Sequence, residues 1–416
     1  DSLGHRVGDV VLKRAARAIQ GCVRDSDLVT RHRDCDIDTQ VARLGGDEFI
    51  VLISNFTGVS GINIVAGRIL DLLRCPMEVD GHEVVVTASI GVAFTPDHGA
   101  DADTLLKNAD TAMYEAKSAG RNNVFYYDAT MNARMLERLD LEGELRHAVE
   151  RDQLVLHFQP QVDVASGAIL GVEALVRWRH PYQGLLSPDE FIPLAEETGI
   201  INDIGDWVMR EACRQNRAWQ DAGLAPVRIS VNLSFRQFGN PDFVARVQAV
   251  LAETQLPPKY LELELTESVI MNDLHSTLRI LRQLKEMGLR LSVDDFGTGY
   301  SSLAYLKSLP LDTLKIDKSF VMDIDGDNDT ARLVAAIIAM AKSLQISVVA
   351  EGVETELHRD FLAGHKVELA QGYLFSRPVP AATFADMLQH AALRPVTGTP
   401  PFWEASSASI SAFGSH

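Results

Sequence analysis

From about residue 151 to residue 393 the chain alternates short β-patterned runs with amphipathic helical stretches, and few folds accept that order. Strand candidates begin near Leu154, Ile169, Val227, Tyr260, Arg290, Thr313, Ser347 and Glu368. Helical periodicity over 205–222, 242–253, 276–287 and 330–344 fills intervals between them. Repeated strand–helix units predict an α/β fold built on a parallel barrel. The first two strands lie too close for a crossover helix, which needs about a dozen residues. Ala165-Ser166-Gly167 reads instead as a hairpin turn. The first strand is therefore expected to run antiparallel to its neighbours, giving an irregular TIM (β/α)8-type barrel.

The barrel uses little more than half of 416 residues, leaving room for another domain. Residues 7–23 have helical periodicity. Val41 to Leu44 and Asp47 to Ile53 read as a hairpin turning at Gly45-Gly46. A second hairpin is expected to turn at Asp80-Gly81 between 77–79 and 84–92, followed by a helix over 102–118 that stops at Gly120. The expected division is a smaller α+β domain over 1–128, a helical connector over 129–150, the barrel over 151–393, and a disordered tail over 394–416 rich in Pro, Ser, Gly and Thr.

With 46% hydrophobic residues the chain has the composition of a soluble globular protein. No apolar run reaches the roughly 18 residues of a membrane helix, so no membrane contact is expected from this segment. No signal peptide opens it, and position 1 is not methionine, as expected for a piece of a longer protein. A net charge of −18 argues against polymeric nucleic acid, whose phosphates are bound through Lys and Arg. It leaves room for a small phosphate ligand whose charge is met by metal ions. Cys22, Cys35, Cys75 and Cys213 are scattered, without CxxC or a companion His, and read as reduced thiols of a cytoplasmic protein.

Period-two reading sorts each strand by face. Leu261, Leu263 and Leu265 oppose Glu262 and Glu264; Ile229, Val231 and Leu233 oppose Ser230 and Asn232. Gly171, Glu173, Leu175 and Arg177 share a face, as do Lys315 and Asp317, and Val349 and Glu351. The outer face of a barrel packs on helices, so the polar positions should look inward and converge near the C-terminal ends of the strands. Asp294 and Asp295 end the run Leu289 to Val293, and adjacent strand residues point oppositely, so both reach one site only where the backbone leaves the strand. Gly297 and Gly299 are expected to supply that freedom.

The convergent set is Glu173, Asn232, Glu264, Asp294, Asp295, Lys315 and Glu351. A like-charged pair about 4 Å apart costs about 4 kcal/mol at an effective dielectric of about 20, so such a cluster protonates or takes up cations. Oxygen ligands with one amide suit Mg²⁺ or Mn²⁺ better than zinc. The bland alternative, in which each acid caps a helix or faces solvent, must hold separately for every strand. Two hard cations beside a lysine point to phosphodiester hydrolysis, with a polarised phosphate oxygen and an acidified bridging water. Lys315 would hold that water or steady phosphate charge, and Glu351 would take its proton. Ca²⁺, larger and less polarising, is expected to occupy the site and inhibit.

On these residues the chain resembles the EAL family of cyclic di-GMP phosphodiesterases. Glu173-Ala174-Leu175 stands in the context of Arg177 and Trp178; Asn232-Leu233-Ser234, Glu264 to Glu267, Asp294 to Gly299, Lys315-Ile316-Asp317, Ala350 to Glu354 and Gln371-Gly372-Tyr373 follow in family order. The resemblance covers about 240 residues. It implies opening of cyclic di-GMP to linear pGpG with two Mg²⁺ or Mn²⁺ ions. It implies metal ligation by Glu173, Asn232, Glu264, Asp294 and Asp295, with Lys315 and Glu351 at the water. Gln159, Leu175, Arg177, Asp317, Glu354 and Gln371 fall on the substrate side, and Glu267 at a position that steadies the loop after Asp295. A homodimer is also implied.

The first half resembles the GGDEF diguanylate cyclase domain, through Gly45-Gly46-Asp47-Glu48-Phe49, Gly4 to Asp9 and Ala116 to Asn122. The implied nucleotide site, for GTP, comprises Asp9, Asp47, Glu48, Lys117 and Arg121. Here the chain departs from the pattern. It begins inside the family's opening region, without the first strand and its metal-binding aspartate and phosphate-binding lysine. Residues 31–40 look inserted, and Asp36-Ile37-Asp38-Thr39 stands where the inhibitory RxxD is expected, with Arg31-His32-Arg33-Asp34 displaced. The leading expectation is a phosphodiesterase with a regulatory GGDEF domain and no cyclase activity in this chain. The alternatives are a non-catalytic cyclic di-GMP receptor, whose mark would be a lost metal ligand, and a bifunctional parent protein.

Overall fold

The computed structural model describes residues 5–24, 38–54, 58–79, 81–271, 274–297, 306–325 and 328–392. The displaced Arg31 to Asp34 run, the loop 298–305 with Gly299, and the tail 394–416 lie outside the described residues. Two compact units part between Asp140 and Leu141.

In the first unit α1 (His5–Arg24) precedes the hairpin of β1 (Asp38–Gly45) and β2 (Glu48–Ser54), which turns at Gly46 with φ +52°. Next come α2 (Gly58–Arg74), β3 (Met77–Val79), β4 (His82–Val84), β5 (Ile90–Val92), α3 (Ala102–Ser118) and β6 (Val124–Tyr126), and then α4 (Ala129–Leu145), within which the boundary falls. Ala15, Ile19 and Cys22 of α1 pack with Ile69 and Leu73 of α2, and Val41, Phe49 and Val51 cover them. Asp101 caps α3 by accepting from the Thr104 amide at 2.8 Å. The second hairpin differs from expectation. The run 84–92 is split: β4 pairs with β3, whereas β5 pairs in parallel with β6. The extended backbone is locally encoded, but the choice of partner is not. At Gly91 of β5 a Cβ would fall 2.0 Å from the Ala109 carbonyl oxygen of α3, so only glycine admits that helix.

The second unit opens with the antiparallel pair β7 (Leu154–Asp163) and β8 (Ile169–His180), turning where Gly167 N donates to Asp163 O at 2.8 Å. The order continues β9 (Gly184–Leu186), α5 (Pro188–Thr198), α6 (Ile201–Asp221), β10 (Arg228–Leu233), α7 (Phe235–Phe238), α8 (Phe243–Thr254), β11 (Leu261–Thr266), α9 (Glu267–Met271), α10 (Leu274–Glu286) and β12 (Arg290–Phe296). It ends β13 (Thr313–Ile316), α11 (Lys318–Met322), α12 (Asn328–Ser343), β14 (Ser347–Ala350), α13 (Glu356–Gly364), β15 (Leu369–Ala370), β16 (Val379–Pro380) and α14 (Ala381–Ala392). Seven strands, β8, β10, β11, β12, β13, β14 and β15, lie parallel in that order. β7 runs antiparallel to both β8 and β15 and closes an eight-stranded barrel.

Outward leucines Leu261, Leu263 and Leu265 are fully buried in one core with Val247, Leu281 and Leu284 of the surrounding helices. The inward face is polar, carrying buried Gln161, Ser230, Glu262, Ser292, Thr313 and Lys315 in place of the branched aliphatics usual for this barrel. Glu262 and Glu264 share that face but belong to different networks. Glu262 lies 3.5 Å from both Arg228 and Arg290, beside Asp312, which takes Lys285 at 2.8 Å. Arg228 and Arg290 open their strands, so this network sits at the opposite end from the C-terminal mouth.

After β15 the chain passes so near the loop following β14 that a Cβ on Gly372 would lie 2.2 Å from Val353 O and 2.3 Å from Val353 N. That backbone is already engaged, Val353 N donating to Gln371 O and Leu374 N to Val353 O. Gly372→Ala is expected to lower the urea unfolding free energy by about 1–3 kcal/mol. Gly364→Ala, with nothing within 4 Å of its Cβ, should cost less than about 0.5 kcal/mol. Equal midpoints for both variants would contradict the close approach.

Candidate active site

The ammonium of Lys315 stands at the centre of the mouth, 1% exposed. Its Nζ lies 2.6 Å from Glu264 Oε2, 2.6 Å from Glu351 Oε1, 3.2 Å from Asp294 Oδ2 and 3.7 Å from Glu173 Oε2. Each partner comes from a separate element: Glu173 from β8, Glu264 from β11, Asp294 from β12, and Glu351 from the residue after β14, whose amide donates to Ile316 O.

Burial works against the charge of Lys315, but Asp294, Glu173, Glu264 and Glu351 outweigh it and hold the ammonium well above the ordinary lysine range. Burial pushes Glu264 well above the carboxylate range; Lys315 opposes the shift, and Glu173 and Asp294 add to it. Glu351 is pushed up to about 8, first by burial and then by Asp294 and Glu173, against Lys315. Asp295 is pushed up to about 6 by burial, by the charges of Asp294 and Asp317, and by a hydrogen bond with the Asp317 carboxyl.

Asp295 makes the break that brings the double aspartate to one mouth. It adopts φ +53°, and the β12–β13 register shifts between Val293 and Phe296. The expected hinge at Gly297 is real, with φ +103°. However, the first left-handed residue is the aspartate, a type that tolerates that region better than most. Asp295 N donates to Asp294 Oδ1 at 3.0 Å, which fixes the first carboxylate.

Side-chain amides also hold Glu173. Asn232 Nδ2 donates to Glu173 Oε1 at 2.7 Å, and Gln371 Nε2 to Glu173 Oε2 at 2.5 Å. Gln371 also reaches Gln159, which donates to Ser376 O at 3.1 Å.

The remaining expected residues lie around this centre or away from it. Arg177 is part-buried, donates to Val176 O at 2.8 Å, and feels Tyr373, Asp189 and Glu173. Leu175 shares its strand face. Asp317 caps α11 through Ser319 N at 3.0 Å. Glu354 is exposed, its amide donating to His358 Nδ1 at 3.4 Å. Glu267 opens α9 with Oε2 buried and without a hydrogen-bond partner among the described residues. In the first unit Asp9 lies on α1, Asp47 and Glu48 at the β1–β2 turn, Lys117 in the last turn of α3 and Arg121 just beyond, all exposed. Two residues near the mouth escaped the sequence reading: Gln161, and Arg377, whose guanidinium lies 4.2 Å from the ring centroid of Tyr373. Gln161 shares the period-two face of Gln159, which was the available signal.

The donor set fits hard divalent cations. Five carboxylates against one ammonium leave an excess of four negative charges, which two divalent ions neutralise, and the carbonyl oxygen of Asn232 adds a neutral donor. Among the described residues no group of three or more His, Cys, Asp or Glu side chains is already spaced as a metal cage. Lys315 draws the carboxylates to itself instead.

The EAL domain family matches residues 142–378, and the family described as diguanylate cyclase, GGDEF domain, matches residues 1–123. The chain is 45% identical to the bifunctional diguanylate cyclase/cyclic di-GMP phosphodiesterase MucR of Pseudomonas aeruginosa, over 92% of this chain and 54% of MucR. It is 44% identical to the cyclic di-GMP phosphodiesterase NbdA of the same organism, over 94% of this chain and 48% of NbdA. It thus spans about half the length of these relatives. Among solved structures, the PaMucR phosphodiesterase c-di-GMP complex aligns with a TM-score of 0.58 at 50% identity, covering 59% of this chain and 99% of that one. An EAL domain protein of Listeria monocytogenes EGD-e aligns with a TM-score of 0.54 at 32% identity, covering 60% and 97%.

The raised carboxyls make stability depend on pH in chelator-treated protein. A folded-state pKa above the unfolded value gives stability that is full below the unfolded pKa and lost as pH rises through the folded one. For Glu351 that window runs from about 4.5 to about 8. Glu351→Gln is therefore expected to gain stability relative to the native chain as pH rises across it, measured by urea unfolding in EDTA. A difference that stays flat or falls with pH would contradict the assignment.

Proposed function

Because the chain belongs to the EAL family over more than half its length, with a GGDEF domain ahead of the barrel, we propose that it hydrolyses cyclic di-GMP to linear pGpG. The observation that carries this reading is the cluster of Glu173, Glu264, Asp294 and Glu351 around Lys315, each with a carboxylate oxygen within 4.0 Å of its ammonium. A receptor that has lost catalysis is expected to lack one of them.

The EAL phosphodiesterase family is in general metal-dependent. Glu173, Asn232, Glu264, Asp294 and Asp295 would hold two Mg²⁺ or Mn²⁺ ions, which supply a polarised phosphate oxygen and an acidified water. Gln159, Arg177 and Gln371 bind and orient the guanylate, with Leu175, Asp317 and Glu354 around it. Glu351, 18% exposed and the most open member of the ring, takes the proton of the attacking water. Lys315 stabilises charge on the phosphate as the P–O bond breaks and the 3′ oxygen departs. Glu267, whose Oε2 is buried without a partner among the described residues, anchors the loop after Asp295.

We read the GGDEF domain as regulatory. GTP at Asp9, Asp47, Glu48, Lys117 and Arg121 and a homodimeric assembly in the cytoplasm are part of the same proposal. The resemblance to MucR, which is named as bifunctional, favours a second reading, in which the protein also makes cyclic di-GMP.

Incubated with Mg²⁺, the chain is expected to convert cyclic di-GMP to pGpG. Glu173→Ala and Asp294→Ala should each slow this by more than about 100-fold, the loss of several kcal/mol of metal-assisted stabilisation. Substrate should bind in Ca²⁺ and stay intact until Mg²⁺ replaces it. Native turnover in folded Glu173→Ala, or equal turnover in Ca²⁺ and Mg²⁺, would overturn the reading. The Asp294→Ala protein supplied with GTP is expected to release no cyclic di-GMP; its appearance would favour the bifunctional reading.

A further inference from the structure

Glu173 is fixed by a one-way chain of amide hydrogen bonds, and one link of that chain has no place in the reaction proposed above. Gln371 Nε2 donates to Glu173 Oε2 at 2.5 Å and to Gln159 Oε1 at 2.9 Å, which uses both its hydrogens. Gln371 Oε1 accepts from Gln161 Nε2 at 3.2 Å. Gln159 passes the direction on by donating to Ser376 O. Gln159, Gln161, Gln371 and Glu173 are all less than 8% exposed, so water is poorly placed to replace a missing partner.

The two orientations of a glutamine amide have nearly the same shape, so packing hardly distinguishes them and the partners decide. Turned over, Gln371 would set its oxygen against the Glu173 carboxylate and the Gln159 carbonyl oxygen, and its NH₂ against the NH₂ of Gln161. Gln161 is the donor that makes the observed orientation fit on its far side. Room for it is built into the sheet. Gln161 on β7 pairs with Gly171 on β8, where a Cβ would lie 2.5 Å from Gln161 Oε1.

We propose that Gln161 is a positioning residue for Glu173: it keys the Gln371 amide so that two hydrogens, and never its oxygen, face the cluster. Gln161 touches no reacting atom. The inference rests on the reading of Glu173 as a metal ligand. Partners behind a ligand typically cost about 10–100-fold in metal affinity when removed.

The test is calorimetric titration of Mn²⁺ into the native chain and into Glu173→Ala, Gln161→Leu, Gln161→Glu and Gly171→Ala, with thermal midpoints taken in parallel. Gln161→Leu frees the amide, and is expected to weaken Mn²⁺ binding about tenfold. Gln161→Glu, almost the same shape, accepts from Gln371 Nε2 and turns its oxygen toward Glu173, so it should weaken binding further. Gly171→Ala displaces Gln161 without changing its chemistry and should act in the same direction. Turnover in excess Mg²⁺ should recover to within a few-fold, placing the loss in the half-saturating metal concentration. Native Mn²⁺ affinity in both Gln161 variants, with Glu173→Ala weakened, overturns the inference. An affinity that follows the thermal midpoints, with Gln161→Glu no worse than Gln161→Leu, also overturns it, because packing would then suffice. Native affinity in Glu173→Ala would instead remove the ligand reading on which the inference stands.

Discussion

A lysine ammonium enclosed by acids at the mouth of the barrel sets the terms for everything around it. Moving one ion into a low-dielectric interior costs several kcal/mol even after relaxation, and here Lys315 is 1% exposed. The attraction of four carboxylates offsets that cost, but their mutual repulsion then requires more positive charge than one lysine carries. The raised carboxyls of Glu264, Glu351 and Asp295 express this imbalance: each holds its proton to higher pH than an ordinary carboxyl. A charge deficit that favours protons favours divalent ions for the same reason.

Such a cluster is useful only where its members cannot drift apart, and the barrel supplies that rigidity. Glu173, Asn232, Glu264, Asp294 and Lys315 lie on hydrogen-bonded strands whose outward leucines and valines are locked against helices. The left-handed Asp295 brings a second aspartate to the same mouth, while Asn232 and Gln371 grip both oxygens of Glu173. The antiparallel β7 contributes Gln159 and Gln161, which a parallel strand in that place would carry in a different register. The departure from the regular barrel is thus what completes the amide flank.

Much of this was legible in the sequence because strand periodicity is a local property. All eight strand starts fall within about a residue of their expected places, and Glu173, Asn232, Glu264, Lys315 and Glu351 share the inward face that alternation assigned them. What escaped depends on distant partners. The run 84–92 looked like one strand until β5 took β6 across α3. The partners of Glu262, which shares a face with Glu264, are equally distant: Arg228 and Arg290 hold it at the opposite end. Gln161 was hidden because its meaning lies in Gln371, some two hundred residues away. The break in β12 was foreseen, but glycine was expected to make it, since φ alone does not reveal that an aspartate held by its neighbours will go first.

The most direct test is anomalous diffraction from crystals of the chain soaked in Mn²⁺. If the charge deficit around Lys315 is what the site is for, two manganese peaks should lie among Glu173, Asn232, Glu264, Asp294 and Asp295, with Lys315 displaced from at least one of its carboxylates. No peak at saturating Mn²⁺, with Lys315 still paired to all four acids, would show that the cluster is a self-contained salt bridge and that the central claim is wrong.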